Sequence, residues 1–301
     1  MNEPGPEALA DSASRPLQPF RSSHFTLDWS RQDIEQRLGF HGGRYTTVNR
    51  ALSFIIGLVL TAVFYAVMLL GLRHVPNTER YVAMFVERGV STYLIMLLFF
   101  WAIAIQFLKS RKLALQSKAL ELSIIPQLPD FFLTPTNARS VLDRLHSLVD
   151  NPAHFILFNR LERALSNLNN IGQISDVSNI LVVQAEHDDA QVASSYGLLN
   201  GFIWATPVLG FIGTVIGLSK AIAGFGLTLQ ASGDLSGIKQ SLQAVTSGLS
   251  TAFENTLVAL VAALIIHMRT TFLQTRESSF LDACSDYCHK NISARLRLKS
   301  E

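Results

Sequence analysis

Residues 198–218 of the chain read LLNGFIWATPVLGFIGTVIGL, an apolar stretch of 21 residues that contains no charged side chain. It lies within a longer charge-free interval that runs from Ala190 to Ser219. At about 1.5 Å of rise per helical residue, such a stretch extends roughly 32 Å, which matches the hydrocarbon thickness of a bilayer. The stretch therefore predicts a membrane-spanning helix.

Three further segments have the same character. Ala51–Leu72 and Val90–Leu108 contain no charge and are long enough to span a bilayer. The last segment lies between Lys239 and Arg269 and contains a single charge, Glu254. The sequence thus predicts four transmembrane helices.

The composition agrees with this class of protein. Of the 301 residues, 49% are hydrophobic and only 16% are charged, whereas a soluble domain carries about 25% charged residues. A net charge of +2 and two cysteines exclude a strongly basic nucleic-acid binder and a disulfide-rich secreted scaffold. We therefore expect an all-α integral membrane protein in contact with lipids, with no nucleic acid as partner.

The pattern along the chain predicts five segments. The Lys and Arg residues that flank the spans favour an orientation with both termini in the cytoplasm. In chain order, we expect a flexible cytoplasmic tail over 1–25, an amphipathic lead-in and the first two spans over 26–112, a cytoplasmic helical region over 113–197, the last two spans over 198–268, and a cytoplasmic C-terminal helix over 269–301.

Long helical extensions are expected on the cytoplasmic side. Ser175 or Asp176 is suited to cap a helix, and no proline or glycine interrupts residues 176–196. That helix is therefore predicted to run straight into the third span, and residues 270–298 to continue the fourth. The acidic side chains of Glu186, Asp188 and Asp189 predict a solvated face of the long helix or, alternatively, a contact with a cytoplasmic partner.

The third and fourth spans each carry a stripe of small residues at helical spacing. Such stripes let helix backbones approach closely in lipid. The pattern fits ordinary packing within the chain, or a narrow lumen that receives another helix. The stripes consist of Pro207, Gly210, Gly213, Thr214, Gly217, Ala221 and Gly224 on the third span, and of Ala244, Gly248, Ala252, Thr256, Ala259 and Ala263 on the fourth.

Two segments carry a resemblance to a known family. Residues 205–218, ATPVLGFIGTVIGL, and residues 248–260, GLSTAFENTLVAL, resemble the signature of the MotA/TolQ/ExbB proton-channel family. The rest of the chain matches only in architecture, since four spans with a large inner segment are similar to the MotA side of the family.

The resemblance implies an assembly and a mechanism. It implies a homopentameric ring around a dimer of a MotB/TolR/ExbD-like single-span partner in the bacterial inner membrane. The partner carries an essential aspartate, and H⁺ or Na⁺ crossing there drives rotation of the ring. Apart from the translocated ion, the resemblance implies no cofactor.

The resemblance also implies roles for individual residues. Thr214 and Thr256 match the family's pore threonines, and Pro207 matches the proline near the start of the motif. Ala259 stands where many members have glycine, and Asn255 stands where many have a second threonine. The set expected to face the ion pathway or the partner is completed by Gly210, Gly213, Gly217 and Ala252.

Glu254 is a rival candidate for the functional site. A carboxylate within the membrane carries a high free-energy cost, so its presence by default suggests a function. Two residues correspond to about 200° on a helix, so Glu254 is expected to point away from the Thr256 stripe. For Glu254, the alternatives are a structural role, protonated or hydrogen-bonded between subunits, and a role in ion access or gating. Asn255 is likewise a possible intersubunit or ion-access residue.

The sequence offers little for catalysis. It contains no phosphate-binding glycine loop, no nucleophile elbow and no HExxH motif, so we expect no enzyme activity. Cys284, Cys288 and His289 fall short of a closed zinc site, and packing cysteines are expected instead. The leading hypothesis is an ion-driven motor subunit, and the alternatives are a non-conducting membrane scaffold and a small-solute transporter that uses Glu254.

Overall fold

The structure is a computed structural model that describes residues 27–40, 42–71, 79–86, 89–122, 124–126, 131–166, 168, 174–231 and 235–297. The predicted tail over 1–25 lies outside these residues. In the described part of the chain, the regular secondary structure is helical, apart from two isolated β-bridges. Four of its helices are long and apolar enough to cross a membrane, which confirms the prediction of an all-α chain with four candidate spans.

The helices are numbered along the chain, and the four candidate spans belong to α3, α5, α9 and α10. Their bounds are α1 Trp29–Gln32, α2 Ile34–Arg37, α3 Arg50–Ala66, α4 Glu79–Val86, α5 Val90–Ser117, α6 Pro135–Leu148, α7 Ile156–Ser166, α8 Ile174–Ser195, α9 Gly197–Ala231 and α10 Leu235–Asn291.

Local sequence explains where the first span begins and how it ends. The side chain of Asn49 accepts hydrogen bonds from the amides of Ala51 and Leu52, so it caps α3 in the usual way. The helix then widens into a π-helical turn over Val67–Gly71. Helix α4, which the sequence did not predict, follows. Its Met84 and Phe85 side chains pack against a small apolar cluster formed by the spans.

The long inner helix is nearly continuous, as predicted. Helix α8 begins at Ile174, so Ser175 and Asp176 lie inside its first turn and do not precede it. Only Tyr196 separates α8 from α9, and the pair forms one candidate span from Asp176 to Gly226.

Helix α10 is the longest element, with 57 residues, which corresponds to roughly 86 Å. The prediction that it continues to residue 298 is wrong, because it stops at Asn291 and gives way to a short 3-10 turn. The reason is a backbone pairing: the amide of Leu133 donates to the carbonyl of Arg295 (2.8 Å), and the amide of Arg297 donates back to Leu133 (2.9 Å).

Two apolar cores hold the chain together. The smaller one lies among the spans and includes Ile95 and Met96 of α5 and Ala259 and Ala262 of α10. The larger one joins the lead-in, the inner end of α5, helices α6 to α8 and the inner end of α10. We call the region built around this larger core the inner domain. Helix α5 packs against α3, α9 and α10, so it is the element around which the other spans are arranged.

The inner domain buries charges as well as apolar side chains. The guanidinium of Arg160 donates to the carboxylate of Asp188 (2.7 Å), and both side chains are almost fully buried. The prediction of a solvated acidic face is therefore wrong for Asp188, because α7 supplies its partner, although Glu186 and Asp189 are exposed. Cys284 and Cys288 are free thiols packed in the same core.

Candidate functional site

The small-residue stripes of α9 and α10 face each other along one seam. A Cβ atom added to Gly210 would lie 2.5 Å from Cβ of Ala259, and one added to Gly217 would lie 3.2 Å from Cβ of Ala252. Because real side-chain atoms do not approach as closely as the first of these distances, glycine is required at 210. We call this contact the α9–α10 seam.

The two predicted pore threonines meet in this seam. The hydroxyls of Thr214 and Thr256 lie within hydrogen-bond distance of each other. Each also lies 3.1 Å from the carbonyl oxygen of Gly210. Both side chains are half-buried, so the structure places one pair of adjacent hydroxyls between two helices that are otherwise lined by small residues.

Asn255 serves a different contact. Its side chain is 3% exposed and bonds to the start of α5: the hydroxyl of Thr92 donates to its Oδ1 (2.9 Å), and its amide nitrogen donates to the hydroxyl of Ser91 (3.0 Å). The amide packs directly over Gly213, where an added Cβ would collide with it. Asn255 therefore joins α5, α9 and α10 within one chain.

Pro207 and Glu254 flank this arrangement. Pro207 lies inside α9 and cannot donate a hydrogen bond to the carbonyl of Ile203, so the helix loses one bond near the start of the motif. Glu254 is half-buried on α10, between the exposed Phe253 and the buried Asn255. It is not among the residues that form the Thr214–Thr256 contact.

Much of the surface around the seam is apolar and uncovered. Of the most apolar 18-residue stretch of the third span, only 6% is buried within the chain. The exposed side chains include Phe211 at 65% and Phe253 at 61%. A groove of approximately 760 Å³ opens next to the seam, between the start of α5 and the ends of α9 and α10 that lie away from the inner domain. Lipid or other subunits must cover such faces in a membrane.

Sequence reasoning missed a charged cluster where α5 enters the inner domain. The amine of Lys109 lies 3.0 Å from a carboxylate oxygen of Glu277, and both side chains are almost fully buried. The same amine donates to Ser195 (2.8 Å), and the hydroxyl of Tyr196 donates to Glu277 (2.6 Å). The helix interruption at Tyr196 is thus fixed to α10.

A sequence signal for this cluster exists, but it is easily misread. Lys109 and Lys112 directly follow the second predicted span, so they are easily taken for exposed charges at its end. They are spaced with the buried residues Ile105, Leu108 and Gln116 at intervals of three and four, so the buried face of α5 continues through them. Among the described residues, no group of His, Cys, Asp and Glu is arranged to hold a metal ion.

Comparison with known proteins identifies the family. Residues 149–285 match the model of the MotA/TolQ/ExbB proton channel family. Searches of the curated proteins and of the solved structures give no match. The matched region contains both signature segments and extends through α7 and α8, so it includes the seam and much of the inner domain. The resemblance seen in the sequence to the MotA/TolQ/ExbB proton channel family is therefore confirmed over residues 149–285 of the chain.

Proposed function

We propose that the chain is the channel and stator subunit of a rotary membrane motor driven by an ion gradient. In this proposal, a homopentamer surrounds a dimer of a single-span partner whose aspartate carries the ion. The ring lies in a bacterial inner membrane with the inner domain and both termini in the cytoplasm. The family assignment supports a subunit of the proton-channel type, and the motor role goes beyond it.

The observation that carries the proposal is the hydroxyl pair of Thr214 and Thr256. Two hydroxyls at membrane depth can donate and accept hydrogen bonds, and they can replace part of the hydration shell of an ion. They do not titrate in the accessible pH range, so they cannot relay a proton alone. The pair itself supplies no titratable group, and this lack supports an aspartate-bearing partner.

The surroundings of the pair suit a partner helix. Gly210 and Ala259 are buried against each other in the seam, whereas Gly213, Gly217 and Ala252 also line the groove beside it, so little side-chain bulk fills that groove. A partner helix can approach such a surface closely. Pro207 leaves the carbonyl of Ile203, about three turns before Thr214, without its usual helical donor.

The first experiment is gentle extraction of the native complex followed by mass spectrometry. We expect five copies of this chain and two copies of a single-span protein with an aspartate in its span. A complex that contains this chain alone would contradict the motor and support the scaffold. The scaffold has an observation in its favour, because the small-residue stripes already pack against each other within the chain.

The second experiment measures ion flux through the complex in liposomes. We expect Thr214→Ala to abolish flux while the complex stays assembled, because the hydroxyl pair is lost. Thr246→Ala is the matched control, since that hydroxyl is exposed and donates only to the carbonyl of Leu242 in its own helix (2.8 Å). Full flux in both variants would refute a role for the pair.

Glu254→Gln tests the third function. Full ion flux in this variant excludes ion access through Glu254 and leaves it a structural contact. If the variant blocks uptake of a small solute and leaves ion flux intact, the chain is a transporter and the motor proposal fails.

A further inference from the structure

A basic cavity lies on the inner domain, directly below the membrane part of α5. Its volume is approximately 440 Å³, and it lies between the lead-in helices α1 and α2 and the inner end of α5. Five cationic side chains line it: Arg31, Arg37, Arg111, Lys112 and Lys118. We call it the lead-in cavity. It is distant in sequence from the seam and takes no part in the proposed ion pathway.

Some of these cations are compensated inside the chain. The amine of Lys112 lies 2.5 Å from the carboxylate of Glu35 and 3.7 Å from that of Asp33, and all three side chains are buried. The guanidinium of Arg31 lies 3.5 Å from the carboxylate of Asp28.

Among the described residues, no carboxylate neutralises the other cations. The amine of Lys118 donates to the neutral side-chain oxygen of Gln32 (3.3 Å). Within the described part of the chain, Arg37 and Arg111 make no ion pair, and both are exposed. Asp33, which Lys112 already holds, is the only carboxylate among the lining residues. The cavity therefore keeps an excess of positive charge, with two guanidinium groups available to a ligand.

The position of the lead-in cavity indicates the kind of anion. Leu108, the last residue of the apolar stretch Val90–Leu108, lines it together with Ile34 and Leu115. A ligand there meets guanidinium groups together with apolar side chains at the inner end of a membrane helix. A phospholipid headgroup at the bilayer surface has this combination, and basic clusters just below a span attract anionic lipids.

We propose that the lead-in cavity binds the headgroup of an anionic phospholipid from the leaflet next to the inner domain, with Arg37 and Arg111 as the phosphate-binding side chains. Guanidinium groups suit this role because their donors match the geometry of phosphate oxygens. A bound lipid would tie the lead-in to α5 at the membrane surface. The inference does not depend on ion conduction.

The test measures lipid binding to the full chain, in its purified complex, by native mass spectrometry in detergent. The probes are dioleoylphosphatidylglycerol, which is anionic, and dioleoylphosphatidylcholine, which has no net charge. We expect a preference for phosphatidylglycerol. In Arg37→Gln/Arg111→Gln, that affinity should fall about 25-fold, since each basic residue near an anionic membrane contributes about fivefold.

The matched control is Arg139→Gln/Arg276→Gln, which removes the same charge from exposed positions outside the cavity. Its affinity for phosphatidylglycerol should equal that of the unaltered chain. The Arg37/Arg111 variant keeps the Lys112–Glu35 pair and is expected to unfold at an unchanged temperature. Equal losses in both variants, or no preference between the lipids, would overturn the proposal.

A soluble ligand is tested separately with tripolyphosphate. If tripolyphosphate binds through Arg37 and Arg111 while phosphatidylglycerol does not, the site belongs to a soluble phosphate compound and the lipid assignment is wrong. If phosphatidylglycerol binds and tripolyphosphate at the same concentration fails to displace it, the lipid assignment stands.

Discussion

The α9–α10 seam and the inner domain use the same helix, α10, in opposite ways. In the seam, α10 presents Ala252, Thr256 and Ala259 to α9, and the polar side chains that the structure shows in the contact are uncharged. In the inner domain, the same helix presents Glu277 to a buried lysine. Steric fit holds the first contact together, and a charge pair marks the second.

The difference follows from the two solvents. Lipid offers no hydrophobic drive between helices, so close backbone approach supplies the attraction, and a charge there is costly. The inner domain is assembled from water, where apolar burial supplies most of the free energy. A charge can be buried there when it brings its partner with it. Mutations in the two regions should therefore destabilise the protein for different reasons: loss of close packing in the seam, and an unpaired buried charge in the inner domain.

The largest expected effect is in the inner domain. Lys109→Met leaves Glu277 buried without its cation, and removal of one member of a buried pair costs about 3–5 kcal/mol of unfolding free energy. We expect a large drop in the thermal unfolding midpoint of the purified protein. Lys109→Met/Glu277→Met should recover much of the loss, because no lone charge remains. A double variant as unstable as the single one would refute this account.

The next effect is in the seam. Gly210→Ala places a methyl group against Ala259 and should cost about 1–3 kcal/mol, the usual penalty of overpacking. The added change Ala259→Gly should restore stability, since it removes the opposing methyl. Gly201→Ala is the matched control: it lies on the same helix with no atom near its added Cβ. If Gly210→Ala unfolds at the same temperature as Gly201→Ala, the seam is not closely packed.

A smaller effect is expected where the seam meets α5. Asn255→Ala removes the hydrogen bonds to Ser91 and Thr92. Hydrogen bonds between membrane helices contribute about 0.6 kcal/mol each, so the loss should be about 1 kcal/mol. Thermal unfolding again measures it, with the exposed Asn200→Ala as control. A destabilisation as large as that of Lys109→Met would show that the two regions do not differ in the way described.

The smallest effect concerns pH. Burial lowers the pKa of His154, which lies against Trp29 in the inner domain. Since its folded pKa is below the unfolded value of 6.5, the neutral form is favoured by folding. The resulting stability is complete above pH 6.5 and declines as the pH falls towards the folded pKa. His154→Gln should flatten this part of the curve of unfolding midpoint against pH, and an unchanged slope would contradict the assignment.

The spans were easier to predict than their contacts. An apolar run as long as Ala51–Leu72 is compatible with few structures other than a membrane-spanning helix. In lipid, every backbone donor and acceptor must be hydrogen-bonded within the protein, and a helix satisfies this requirement within one segment. The small-residue stripes were visible as a pattern, but the sequence cannot say whether a stripe faces its own chain or another. The structure places Gly210 against Ala259.

The inner domain was the harder part. Asp188 looks like a surface residue until Arg160, on another helix, is placed beside it. Helix α4 was not predicted because it is short and lies between charged residues. Its packing against α5 and α10 is evident only in the three-dimensional structure. Long-range pairings of this kind leave no periodic mark in the sequence.

The single-residue interruption at Tyr196 makes the two long elements of the molecule mechanically unequal. Helix α10 is an unbroken rod from the seam to the inner core, whereas α8 and α9 form a jointed one. At the joint, the hydroxyl of Tyr196 donates to Glu277 of the rod. We therefore expect a tilt of α9 to be transmitted to the inner domain less directly than a tilt of α10, which continues into that domain without interruption.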